Sequence, residues 1–257
     1  MKKGICKMCL KNKDLLKESH IIPKSLYKLL AGKNGLLVFL NSKRPELKYN
    51  SAYDKYILCA DCDGGIIGKL DDYGAKFLHA KFPNKSTPQT RYVDGEKCLV
   101  FEDDPNYDYT KFKLFLLSIL WRSSVSSHPF FRAVKLSPDT KEILRLMIKD
   151  GDAGKPDEYP CFIHLPPVTE SSEGHHGFNI AHLPTMSPVC VETDGIKICK
   201  FIITGCHYYF IIDRPKNIRV IPSMEKDRLT IRFSTRMEQD MLIQQIFEII
   251  RDQKDTQ

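Results

Sequence analysis

The chain of 257 residues is 42% hydrophobic and 28% charged, the balance of a soluble globular protein with room for one large domain or two small ones. Its longest apolar stretch, Phe112 to Trp121, is interrupted by Lys113 and falls far short of the roughly 20 residues a membrane-spanning helix needs. Its opening, Met-Lys-Lys-Gly-Ile-Cys, lacks the apolar core of a secretory signal, so a cytoplasmic protein with no membrane association is expected.

The net charge is +7, but residues 1–50 hold twelve Lys or Arg against three Asp or Glu, a local +9. That concentration suits a phosphate-binding surface and equally a solvated lysine-rich face. Within the same segment begins the strongest motif. Two Cys-x-x-Cys pairs, Cys6 with Cys9 and Cys59 with Cys62, supply the four thiolates of a structural zinc site. The 49 residues between Cys9 and Cys59 exceed the roughly 12 to 20 of a compact zinc ribbon, so something folded must sit between the knuckles.

A helix is expected over Asp61 to Phe82 despite its four glycines, followed by a Pro- and Ser-containing linker around Pro83 to Pro88. Lys97 to Phe101 reads as a short strand. Tyr109 to Ser124 has the helical period, with Phe112, Phe115, Leu116, Ile119 and Leu120 on a wide apolar face that leaves Trp121 and Arg122 in the core and at its edge. Ser137-Pro138-Asp139 looks like a helix start, and Gly151 a stop. Strands follow at Tyr159 to Leu165, Ser187 to Glu192, Ile196 to Thr204, His207 to Asp213 and Leu229 to Phe233. The turn signals Thr193-Asp194-Gly195 and Gly205-Cys206 suggest an antiparallel meander. An amphipathic helix, Thr235 to Arg251, closes the chain.

The expected fold is therefore α+β. A zinc-binding domain spans 1–82, and an α+β domain spans 83–257, with helices over about 109–151, an antiparallel sheet over about 159–233 and a C-terminal helix at 235–251. The remaining cysteines, Cys98, Cys161, Cys190, Cys199 and Cys206, are read as buried thiols, because a disulfide framework belongs to small secreted chains. Glu173, His175, His176 and His182 lie in a Ser- and Gly-containing stretch and are read as an exposed loop. Asp71 and Asp72 are read as an exposed helix face.

The order Cys6-x-x-Cys9, then His20-Ile21-Ile22-Pro23, then Leu58-Cys59-x-x-Cys62 resembles the zinc-supported HNH endonucleases of the ββα-metal (His-Me finger) group, over residues 4 to about 80. The chain also resembles bacterial and phage proteins of similar length that begin with such a module, along the run Leu116 to Arg122. The resemblance implies a nuclease hydrolysing phosphodiester bonds in DNA, or in RNA, with a role in phage defence. His20 falls on the general base that activates water, and a catalytic magnesium or manganese ion would stabilise the leaving oxygen. Asp63 occupies the metal-ligand slot after the second knuckle. Where the family has an aspartate before the histidine, this chain has Ser19, with Glu18 one further back. Asp54 holds the slot of the family's asparagine, with Asn50 close enough to compete. Lys24 and Lys28 of the basic segment, and Lys69 beyond the second knuckle, are the expected phosphate contacts. Residues 83–257 would serve as sensor, dimerisation surface or docking site for a protein partner. Without cleavage, the same features describe a zinc-stabilised module that binds nucleic acid or protein.

Overall fold

The computed structural model describes residues 2–28, 37–40, 45–48, 52–78, 88–165, 185–203 and 206–234, with the backbone alone at 27–28, 37–40 and 45–48. In chain order the elements are β1 (Lys2–Ile5), β2 (Asn12–Leu15), β3 (Ser19–His20), α1 (Lys24–Lys28), β4 (Leu37–Leu40), β5 (Pro45–Lys48) and β6 (Tyr53–Asp54). A π-helical segment, Asp61–Ile67, runs into α2 (Gly68–Leu78), and β7 (Gln89–Val93) and β8 (Glu96–Glu102) follow. Then come α3 (Tyr109–Val125), a 3₁₀ turn at Pro129–Phe131, α4 (Pro138–Asp150), β9 (Cys161–Leu165), β10 (Thr185–Thr193), β11 (Ile196–Ile203), β12 (Cys206–Asp213) and β13 (Arg228–Phe233).

The architecture is mixed α+β around a nine-stranded sheet in the order β5-β4-β10-β11-β12-β9-β13-β8-β7. Neighbours are antiparallel except β4 with β10 and β9 with β13, which are parallel. The expected meander is present as β10-β11-β12, turning at Asp194 and Gly195, both with positive φ. Seven strands come from residues 89–233, and β4 and β5 come from the segment between the cysteine pairs. The strand expected at Lys97 to Phe101 is β8, and Asp94-Gly95 joins it to β7 in a tight hairpin.

Helix α3 is the centre of the molecule. It packs against α2, α4 and β9, and every residue from Phe112 to Ser123 is buried. A helix apolar on all sides is one enclosed by neighbours rather than lying at a surface. Its N-terminus is capped by Asp108, which accepts from the Lys111 N–H. Helix α4 begins and ends as expected: Ser137 caps the Thr140 N–H, Pro138 opens the first turn, and Gly151 takes the left-handed conformation at φ +74°.

Two sequence expectations are corrected here. Cys190 and Cys199 face each other across β10 and β11 and are joined by a disulfide, because the hairpin register brings their backbones opposite; Cys98, Cys161 and Cys206 are buried thiols as expected. Arg122 is not at the edge of the core but fully enclosed, 1% exposed beside Trp121 at the same value. The helix expected at 235–251, most of the linker at 83–88, and the group Glu173, His175, His176 and His182 lie outside the described residues. No helix among those described is long and apolar enough to cross a membrane.

Candidate functional site

The cysteine knuckles are built by local backbone geometry. β1 and β2 form a hairpin whose tip carries Cys6 and Cys9. Leu10, left-handed at φ +58°, lets its own N–H donate to the Cys6 carbonyl at 2.9 Å, while the Cys6 N–H donates to Lys11 at 3.0 Å. The second knuckle lies alongside. Lys7 N–H donates to the Ile57 carbonyl and Leu16 N–H to the Leu58 carbonyl, each at 2.9 Å, and Leu15 bridges Cys59. The Cys59 N–H points at the Cys6 sulfur at 3.4 Å.

These contacts bring the four sulfurs within 4.8 Å of one another. A zinc ion with Zn–S bonds of about 2.3 Å needs a tetrahedron of edge about 3.8 Å, so the donor set fits after a small contraction. Protonation of the bare cluster is uneven. Burial and the neighbouring thiols push Cys62 well above the ordinary thiol range. At Cys9 burial works the same way, but the Lys11 N–H and the other three thiols hold the group below its usual value. A dication that draws all four into the thiolate form removes that conflict. Beside the cluster, Lys13 and Asp61 form an ion pair at 2.6 Å linking the two knuckles at the surface. From the other side, Arg145 of α4 donates to the Met8 carbonyl at 2.6 Å and pairs with Glu142, supporting the first knuckle.

His20 sits next to this scaffold. The strand carrying it is only two residues long, with Ser19 opposite Asp54 and His20 opposite Tyr53; the Ile21 N–H extends the ladder to Ala52 at 2.9 Å. Ile21 and Ile22 go into the core, and the His20 side chain stays half-buried. Across from it, the second knuckle opens into the π-helical segment, where the Asp63 and Cys62 N–H groups both fold back on the Cys59 carbonyl. The Gly68 N–H reaches the Asp63 carbonyl, the wider turn that defines a π-helix. Asp63 is thereby half-buried. Burial pushes its carboxyl above the usual range, while Ser19, Arg122 and His20 pull it back, and Asp71 adds to the push. His20 also acts on Asp71, which burial likewise raises and Arg122 opposes. His20, Asp63, Asp71, Arg122 and Ser19 thus form one electrostatic neighbourhood. Ser19 is fully buried, and its hydroxyl has no hydrogen-bond partner among the described residues, although it lies close enough to Asp63 to favour the charged carboxylate.

Asp71 corrects another expectation. It is not a solvated helix residue: it makes a two-pronged ion pair with Arg122 at 2.8 and 2.9 Å, whereas Asp72 is exposed and pairs with Lys76 one helical turn on. The remaining candidates are scattered. Asp54 is buried and accepts from the Lys55 N–H, the Ser126 hydroxyl, and both the N–H and hydroxyl of Ser127. Burial opposes its ionisation, but these donors outweigh it and hold the carboxyl below the usual range. Glu18, Lys24 and Lys69 are exposed, and the Lys28 side chain lies outside the described residues. Among those residues, the four cysteines are the only group of three or more metal-ligating side chains drawn together.

Sequence reasoning passed over Arg122 and Asp71 as functional positions. A usable signal was the guanidinium itself, since a cation in an otherwise apolar helix requires a buried acceptor. No family model, curated protein or solved structure matches the chain.

Proposed function

We propose that the chain is a metal-dependent endonuclease of the HNH type, hydrolysing phosphodiester bonds in DNA ahead of RNA, with a structural zinc ion on Cys6, Cys9, Cys59 and Cys62. The observation that supports this reading is the four-sulfur cluster, whose second knuckle opens into the segment carrying Asp63, with His20 near enough to act on the Asp63 carboxyl. Four thiolates leave zinc no open position, so its part is structural. His20 would take a proton from the attacking water, its half-exposed ring being open to solvent. A magnesium or manganese ion in such sites uses one or two carboxylates and completes its shell with water and substrate phosphate, and Asp63 would be the carboxylate that holds it. When bound, that ion supplies charge stabilisation for the leaving oxygen. Lys24 and Lys69, both exposed, would meet the phosphate backbone.

A second reading has its own support. Ser19 stands uncharged where the family has an aspartate, and the Asp54 carboxylate is already filled by donors from three residues. These features suit a zinc-stabilised module that binds nucleic acid without cutting it. Incubating the protein with plasmid DNA and manganese, beside His20→Ala, separates the two. Cleavage lost in the variant supports the enzyme, and salt-sensitive binding without cleavage by either protein supports the binder. Absence of affinity at low salt defeats both.

A further inference from the structure

The guanidinium of Arg122 has five N–H donors, and every one is used. Nε donates to the Ser118 carbonyl at 3.1 Å, and Nη2 to the Ser118 hydroxyl at 3.1 Å and Asp71 Oδ1 at 2.8 Å. Nη1 donates to Asp71 Oδ2 and to the His20 carbonyl, each at 2.9 Å. One buried side chain therefore joins α3, α2 and β3. With no donor left and 1% exposure, it cannot itself meet a substrate phosphate. Its partner in the site is the peptide unit of His20.

A second grip comes from the end of the same helix. Ser126, which caps α3, and Ser127 hold Asp54, the residue opposite Ser19 in the β3–β6 pair. A pair of two-residue strands cannot fix its own geometry, because so few ladder bonds do not offset the ordering cost. The position of His20 must come from what holds the pair at its ends.

We infer that Arg122 and Asp71 are positioning residues for His20, through which helix α3 sets the geometry of the candidate site. This rests on the nuclease reading for its consequence, but not for its structural content. Lysine cannot substitute, since a single ammonium has three donors and no planar fork for the carboxylate.

The test uses the full chain, loaded with zinc, in three forms: wild type, Arg122→Lys, and the double variant Arg122→Met with Asp71→Leu. Replacing both charges by apolar groups avoids an orphaned buried charge and preserves the fold where a single deletion would not. The readouts are zinc content, the His20 imidazole cross-peaks in histidine-labelled protein, and manganese-dependent plasmid cleavage resolved into kcat and KM. Both variants are expected to keep zinc and to move or broaden the His20 cross-peaks. In both, kcat falls on the order of tenfold to a hundredfold, as for a misplaced catalytic group, while KM for DNA stays within about twofold. A folded double variant whose His20 cross-peaks superimpose on wild type overturns the inference, as does unchanged kcat. If the double variant does not fold, Arg122→Lys carries the same readouts. If wild type does not cleave, the nuclease reading fails, and the cross-peaks alone decide whether Arg122 places His20.

Discussion

Gly74 offers the sharpest test of how α2 is seated. At an uncrowded helical position, Gly→Ala stabilises by roughly 0.8–1.0 kcal/mol, through the backbone entropy that alanine does not lose. At Gly74 a Cβ would stand 2.4 Å from Cγ and Cδ1 of Phe115 and 2.6 Å from Cδ2. Carbon atoms in contact sit at about 3.5–4.0 Å, so the overlap exceeds 1 Å. It falls on the root of a fully buried ring in α3, not on a mobile tip. Overpacking of this kind costs about 1–3 kcal/mol. Gly64 and Gly65, in the π-helical segment, have nothing within 4 Å of the same added atom and serve as internal controls. Gly74→Ala is therefore expected to lie about 2 kcal/mol or more below Gly64→Ala in stability, the two moving in opposite directions from wild type. Urea unfolding of zinc-loaded protein, with the midpoint read at constant slope, measures this directly. Because α2 carries Asp71, the displacement should also loosen the clamp on His20. A Gly74→Ala protein as stable as Gly64→Ala would refute the close approach of α2 and α3.

Asp54→Asn removes the charge that four donors from three residues share, with an expected loss of about 2 kcal/mol at neutral pH. The folded pKa of Asp54 is depressed, so its contribution is complete above the unfolded value near pH 4 and is lost as pH falls through the lower folded value. The stability gap between wild type and variant should stay constant from pH 7 to about 5 and close only below about 4; a gap that narrows at pH 6 contradicts the assignment. Thiol chemistry gives a third check. Unfolded without reductant, the chain should show seven reactive thiols, rising to nine after reduction. Native protein should release one zinc ion per chain as the cluster is titrated, and Cys59→Ser should release none; full retention of zinc by that variant would exclude the four-sulfur site.

Local signals carried much of the fold. The knuckles, the α4 caps and the β10–β11 turn are each set within a few residues, where spacing and turn chemistry act directly. The β7–β8 hairpin at Asp94-Gly95 went unread, and so did the Cys190–Cys199 pairing, because a cysteine's partner shows only once the strand register is fixed. The resemblance singled out His20 and Asp63; Asp63 directly follows the second cysteine pair, and His20 acts on its carboxyl.

What the residue pattern determined by itself was the four-cysteine cluster able to hold a metal, the helix and strand periods, and the basic bias of the first 50 residues. Tertiary structure alone decided the work of the other carboxylates. Asp71 meets Arg122 across 51 positions, and Asp54 meets Ser126 and Ser127 across 72 and 73. An isolated aspartate looks the same whether it faces solvent or a guanidinium. Only the packing of α3 between α2 and the sheet removes the water, and with it the choice of remaining unpaired.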